Sequence, residues 1–177
     1  MKKAIPYWQM VGFIFTAVAG TLLHFLFDWS GGNVVAALVS AVNESIWEHL
    51  KLLFYPMLLL AVVEYFYWGR EEESFWCIKL LGSLLGFLLI VTVYYTYTGA
   101  LGVKADLFNI TLFFLAAGLV YWVETKLFQR KFVCKLGEKW AMFLVFLLVI
   151  AFTVLTFLPP QIPLFADPIT GTYGFQE

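Results

Sequence analysis

The residues best suited to chemistry lie close together, in Asn43-Glu44-Ser45-Ile46-Trp47-Glu48-His49-Leu50-Lys51, where two carboxylates, an imidazole and an ammonium share one short segment. The other of the chain's two histidines, His24, stands one helical turn before Asp28 on an earlier apolar run. Two histidines and a carboxylate with an open position form a catalytic zinc arrangement, and a spare glutamate can act as general base on the bound water. On that reading His24, His49 and Glu44 or Asp28 are ligands for zinc or another divalent metal, and Glu48 is the base. Glu48-His49-Leu50 lacks HExxH spacing, so the spacing alone does not select a metal. The same carboxylates with Lys51 equally suit a proton- or cation-coupled binding site. The plainest alternative is a solvated helix start in which Glu48 pairs with Lys51 at i,i+3 and the charges rest in the headgroup layer.

Helical geometry sharpens these choices. A rotation of about 100° per residue puts Glu44, Glu48, Lys51 and Tyr55 on one face, with His49 about 100° from Glu48. Asn43 is the expected N-cap of that helix, with Glu44 at its positive end. On the first apolar run Gly12, Thr16, Gly20, His24 and Asp28 recur every four residues. Such a ridge of small side chains lets helices approach closely in a membrane, so His24 and Asp28 are expected against the start of the second span. Gly82 and Gly86 form a second small pair of the same kind, read as a packing contact.

Composition requires a membrane around these residues. With 62% hydrophobic, 20% aromatic and only 13% charged residues, the chain is expected to be an all-α integral membrane protein. A hydrocarbon core needs about 20 apolar residues as helix. Five segments supply them: Ile5 to Phe27, Leu52 to Trp68, Phe75 to Thr98, Leu107 to Val123 and Trp140 to Leu158. The whole of 1–177 reads as one transmembrane domain without internal repeats, which argues against an inverted-repeat transporter.

The positive-inside rule orients the spans. Lys2, Lys3, Arg70, Lys79, Lys126, Arg130, Lys131, Lys135 and Lys139 fall on one side, Lys51 and Lys104 on the other. The N-terminus is therefore expected in the cytoplasm and the C-terminus outside, in the plasma membrane. Tyr7, Trp8, Tyr65, Tyr67, Trp68, Trp76, Tyr121, Trp122 and Trp140 mark the inner ends of the spans, and Trp29, Tyr94, Tyr95 and Tyr97 the outer ends. Lys2 and Lys3 before an apolar run containing Ala17-Val18-Ala19 look like a signal peptide, but the run continues to Phe27, which reads as an uncleaved anchor. The scattered basic clusters are explained by topology and imply no nucleic-acid partner. Cys77 and Cys134 both fall on the side read as cytoplasmic, so they are expected as free thiols rather than a disulfide. Glu64 and Glu124, at inner helix ends near Arg70 and Lys126, are expected to snorkel or pair there.

Between the first two spans, Ser30-Gly31-Gly32-Asn33 precedes the apolar run Val34 to Val42, too short to cross. A re-entrant or interfacial half-helix capped by Asn33 is expected. The tail, 158–177, is rich in proline, lacks basic residues and carries Leu164, Phe165 and Asp167. It is expected outside, with Pro159 to Tyr173 folded over His24, Glu44, Glu48 and His49 as a lid.

Gly20-Thr21-Leu22-Leu23-His24-Phe25, the segment from Val42 to Lys51, and Pro159-Pro160-Gln161-Ile162-Pro163-Leu164-Phe165 continuing through Asp167 to Gly174 resemble an uncharacterised family of small bacterial integral membrane proteins. That likeness covers most of the chain and brings no activity with it. A looser likeness, of site alone, is to the seven-span ceramidase-like membrane hydrolases, which hold zinc with histidines and an aspartate among their helices. The favoured expectation is a membrane-embedded, metal-dependent hydrolase acting on a lipid-like substrate. The alternatives are a proton- or cation-coupled transporter binding a small molecule, and a structural or partner-binding membrane protein. No motif sets an oligomeric state.

Overall fold

A computed structural model describes residues 5–102 and 105–176, so Lys2, Lys3 and Lys104, used in the orientation argument, lie outside the described residues. Among the described residues, five helices are long and apolar enough to cross a membrane: α1 (Ile5–Trp29), α3 (Ile46–Tyr67), α4 (Phe75–Leu101), α5 (Asp106–Gln129) and α6 (Glu138–Phe157). A single-turn helix, α2 (Val34–Ala37), and a 3-10 turn at Gly69–Glu71 complete the helical elements. Each long helix overruns its apolar segment by some residues, because backbone hydrogen bonding continues into the interfacial layer until a cap stops it. Gly102, at φ 66°, is such a stop for α4, in the left-handed region where glycine has no steric cost.

α3 is the central helix, with most of its apolar window enclosed, whereas α1 and α6 turn most of theirs outward. Leu53, Phe54, Met57 and Ala61 of α3 meet Phe152 of α6, Ile78 of α4 and Val120 of α5 in one continuous core. Outward on α1, Met10, Ile14, Val18 and Leu22 form an exposed stripe at helical spacing, the surface that lipid covers in a bilayer. The glycine ridge makes α1's inner face: a Cβ on Gly12 would meet Tyr121 and Leu60, and one on Gly20 would meet the Leu52 carbonyl and Phe113. Thr16 between them is fully buried and shares a 2.7 Å hydrogen bond with the Tyr121 hydroxyl. The ridge therefore seats α1 against α3 and α5 at once.

Several expectations are corrected at the connections. Asn33 does cap a helix, accepting from the Val35 N–H at 2.8 Å, but that helix ends at Ala37 rather than Val42. The next helix starts at Ile46 and is capped by Ser45, whose hydroxyl accepts from the Glu48 N–H at 3.3 Å. Asn43 instead accepts from the Ser45 N–H at 2.9 Å in a local turn, which competes with helix and leaves Glu44 outside it. Cys77 and Cys134, expected as free thiols, are joined in a disulfide with Cα atoms 6.3 Å apart. The expectation rested on compartment; proximity overrides it, because the α5–α6 connection docks on the first turn of α4. There Ser74 Oγ accepts from the Cys134 N–H at 3.0 Å and Glu138 Oε2 from the Trp76 N–H at 2.9 Å.

After α6 the chain turns back onto the segment that precedes α3. The Trp47 N–H donates to the Leu164 carbonyl at 3.1 Å, Asn43 Nδ2 to the Gly174 carbonyl at 3.0 Å, and the Phe175 N–H to the Thr156 carbonyl at 2.8 Å. Phe165 is buried, its ring centroid 4.9 Å from that of Trp47. Gly174, at φ 60°, lies so close to Pro159 and the Thr156 carbonyl that a Cβ would strike both. Asp167 folds the turn between, accepting from Ile169 N–H at 2.7 Å and Thr170 N–H at 3.3 Å.

Candidate functional site

Helix approach is what creates the site. Because Gly20 lets the α1 backbone touch α3 at Leu52, the next turn of α1 carries His24 opposite His49, with ring centroids 5.2 Å apart. Glu44 arrives from the turn before α3. Its Oε2 lies 3.4 Å from His49 Nε2 and its Oε1 3.9 Å from His24 Nε2. All three residues offer a ligand atom within 4.8 Å of one another. The side chains of both histidines are 31% exposed and that of Glu44 43%, so the cluster is shielded yet reachable.

His49 is held from behind. Its Nδ1 lies 2.8 Å from the Ser45 carbonyl, an acceptor, so that nitrogen carries a proton and Nε2 is the atom presented to Glu44. A metal-binding histidine is usually oriented in this way, by donating its other N–H to a backbone carbonyl. Both ring nitrogens face acceptors, so a doubly protonated His49 pairs with Glu44. The hydrogen bond from His49 accordingly holds the Glu44 carboxyl below its ordinary range, against the opposing effect of burial.

Distances fit a small cation. With metal–nitrogen bonds of about 2.0–2.1 Å, tetrahedral ligand atoms stand about 3.3 Å apart. The His49–Glu44 separation of 3.4 Å already meets this, and the 3.9 Å to His24 closes with a side-chain adjustment. Three protein ligands would leave a fourth position open.

The other expected site residues go elsewhere. Asp28, the penultimate residue of α1, is exposed and outside the cluster. Glu48 and Lys51 face each other, with side chains only 1% and 0% exposed and Nζ–Oε2 at 2.5 Å. Thr156 donates to Glu48 Oε1 at 2.8 Å and the Val42 N–H to Oε2 at 3.1 Å. Lys51 Nζ also donates to the Ala37 carbonyl at 2.9 Å and to Thr156 Oγ1 at 3.0 Å. The Glu48 carboxylate, expected as the base, is thus engaged by Lys51, Thr156 and the Val42 N–H, and is not among the residues gathered with the histidines. Glu44 and Glu48 diverge because the helix starts two residues after Glu44.

A second ionisable cluster lies toward the opposite end of the bundle. Lys79 of α4 pairs with Glu64 of α3 at 2.6 Å and with Glu124 of α5 at 2.7 Å. Neither carboxylate reaches Arg70 or Lys126 as expected: both are fully buried, while Arg70 lies exposed over the Phe66 ring at 4.4 Å. The available signal was that Lys79 and Glu64 stand inside apolar runs, where ionisable groups need partners. Gly82 was a further sign, since a Cβ there would strike Glu124.

Five membrane-length helices that enclose ionisable clusters near both ends define a polytopic, all-helical membrane protein. The chain belongs to DUF6512, a family of unknown function, whose family model matches residues 1–175. No match was found among curated proteins or among solved structures.

Proposed function

We propose that His24, Glu44 and His49 hold a divalent metal, zinc by preference, and that the protein is a membrane-embedded hydrolase of a lipid-like ester or amide. The observation that carries this reading is the convergence of two imidazole Nε2 atoms on one carboxylate, with His49 already oriented through Ser45. Held by His24, Glu44 and His49 with one position open, a metal would supply Lewis-acid polarisation of a carbonyl and a more acidic bound water. Water adds to the carbonyl carbon, the bond to the leaving group breaks, and the proton lost by the water ends on the leaving oxygen or nitrogen.

The surroundings suit a lipid. Phe25, whose ring lies 4.9 Å from that of His24, is exposed, as is Trp29, the two stacked with centroids 5.7 Å apart, as expected of side chains in the headgroup layer. The tail that hydrogen-bonds to Asn43 and Trp47 supports its reading as a lid that limits water at the site. In the orientation the basic residues favour, with the N-terminus in the cytoplasm, this end faces outward in the plasma membrane.

Elemental analysis of the purified protein tests the metal. About one zinc per chain is expected in the wild type, with loss in both His24→Ala and His49→Ala while the melting profile persists. Metal at trace levels in the zinc-supplemented wild type, or retention in both variants, overturns the assignment. Release of fatty acid from phospholipid or ceramide vesicles by the zinc-loaded protein then tests the hydrolase.

A further inference from the structure

The Lys79 cluster is separate from the proposed metal site, and its charges do not balance. From α3 comes Glu64, from α4 Lys79 and Ser83, and from α5 Tyr121 and Glu124; α1 supplies the neutral Gln9 and Thr16. Where α6 packs beside Lys79 it supplies Val145, while its Glu138 is occupied with the Trp76 N–H. Among the described residues facing this cluster, two carboxylates therefore meet a single cation.

Lys79 is saturated. Its Nζ contacts Glu64 Oε2 at 2.6 Å and Glu124 Oε2 at 2.7 Å. With the Gln9 amide turned so that its nitrogen donates to Glu124 Oε2 at 2.9 Å, the Gln9 oxygen accepts the third ammonium proton at 3.3 Å. An ammonium with three acceptors keeps its charge. The excess then falls on the carboxylates, and Glu124 Oε1 is fully buried without any hydrogen-bond partner. An uncompensated buried charge is far more costly than a protonated acid, and two carboxylates forced into one site share a proton for that reason.

We propose that Glu64 and Glu124 together bind one proton at neutral pH, forming a proton-binding site inside the bundle. The ligand is the proton itself, and its position suits exchange. Gln9 and Lys79 each lie four residues into their helices, about 6 Å of helical rise from the bundle end. A cavity of about 10 Å³ beside Lys79, lined also by Ser83, Phe54 and Met57, has room for about one water molecule.

Infrared spectroscopy of the detergent-solubilised full chain at neutral pH reads this directly. A carbonyl stretch of a protonated carboxylic acid is expected, shifted in deuterated water, and absent from both Glu64→Gln and Glu124→Gln, because either change leaves one carboxylate matched to Lys79. Absence of that band in the wild type overturns the proposal without any variant. Its survival in either folded variant also overturns the proposal, since the proton would then reside elsewhere. If one variant fails to fold, the other decides. None of these outcomes depends on a metal at His24, Glu44 and His49.

Discussion

Glu48→Gln and Lys51→Met should each be among the most destabilising single changes in the chain, and together much milder than their sum. Each side chain is at most 1% exposed, and each single change leaves its partner charged in a dry interior. Breaking a buried pair in this way costs about 3–5 kcal/mol, whereas replacing both partners is often nearly neutral. Lys51 is a demanding case, since its three ammonium protons go to Glu48, Thr156 and the Ala37 carbonyl, and Glu48→Gln removes the only countercharge among these partners. At about 2–4 °C per kcal/mol for a chain of this size, each single variant should melt about 6–20 °C below wild type. Thermal unfolding in a mild detergent, followed by circular dichroism, measures the shifts. The double variant closes the cycle, with a coupling of at least about 2 kcal/mol expected between contacting residues. Single variants that melt within about 2 °C of wild type, or effects that simply add, would show that the pair is not the dry ionic lock drawn from the distances.

Acidification should loosen the His24–Glu44–His49 cluster: the Glu44 carboxyl is held below its ordinary range, so its stabilisation is present above that range and lost as pH falls through the lowered value. Zinc affinity should start to fall at higher pH, in the histidine range, because ligation must displace protons from the imidazoles, and a titration showing tighter binding at lower pH would contradict this. Gly20→Leu should push α1 away from the Leu52 carbonyl, costing about 1–3 kcal/mol by overpacking and weakening metal binding; unchanged affinity would separate the ridge from the site. Cys134→Ser should lower stability by about 4 kcal/mol on a chain-entropy treatment of a bridge spanning 57 residues, and identical melts of the wild type with and without reductant would refute it. Asp167→Asn should free the tail turn, because burial raises the carboxyl but hydrogen bonds from Ile169 and Thr170 outweigh it and hold it low; faster proteolysis after Phe165 is the expected sign.

Local patterns were legible where one helix face decides the outcome. The four-residue ridge from Gly12 to His24 announced both the helix and its packing side, and the restriction of histidine to positions 24 and 49 pointed to the pair that meets. What failed depended on a turn or on distant partners. Placing the cap at Asn43 rather than Ser45 put Glu44 and Glu48 on one face, when the start at Ile46 sends one to the histidines and the other to Lys51. Glu64 and Glu124 were assigned to nearby Arg70 and Lys126 by sequence distance, but Lys79, from another helix, is the cation that reaches them. The disulfide was missed because residues 77 and 134 are joined by docking of a connection, which no period in the sequence encodes.

The return of the tail onto the start of α3 imposes an order on biogenesis. His24 is made with α1, while Leu164, Gly174 and Phe175, which tie down Asn43, Trp47 and Thr156, are translated only after α6. A nascent chain halted after α6 can insert all five helices and still leave the 43–47 segment without these partners. Folding of the segment that precedes α3 is thus deferred until residues 164–175 have been made, so a chain interrupted between α6 and Leu164 would carry its helices with that segment unfinished.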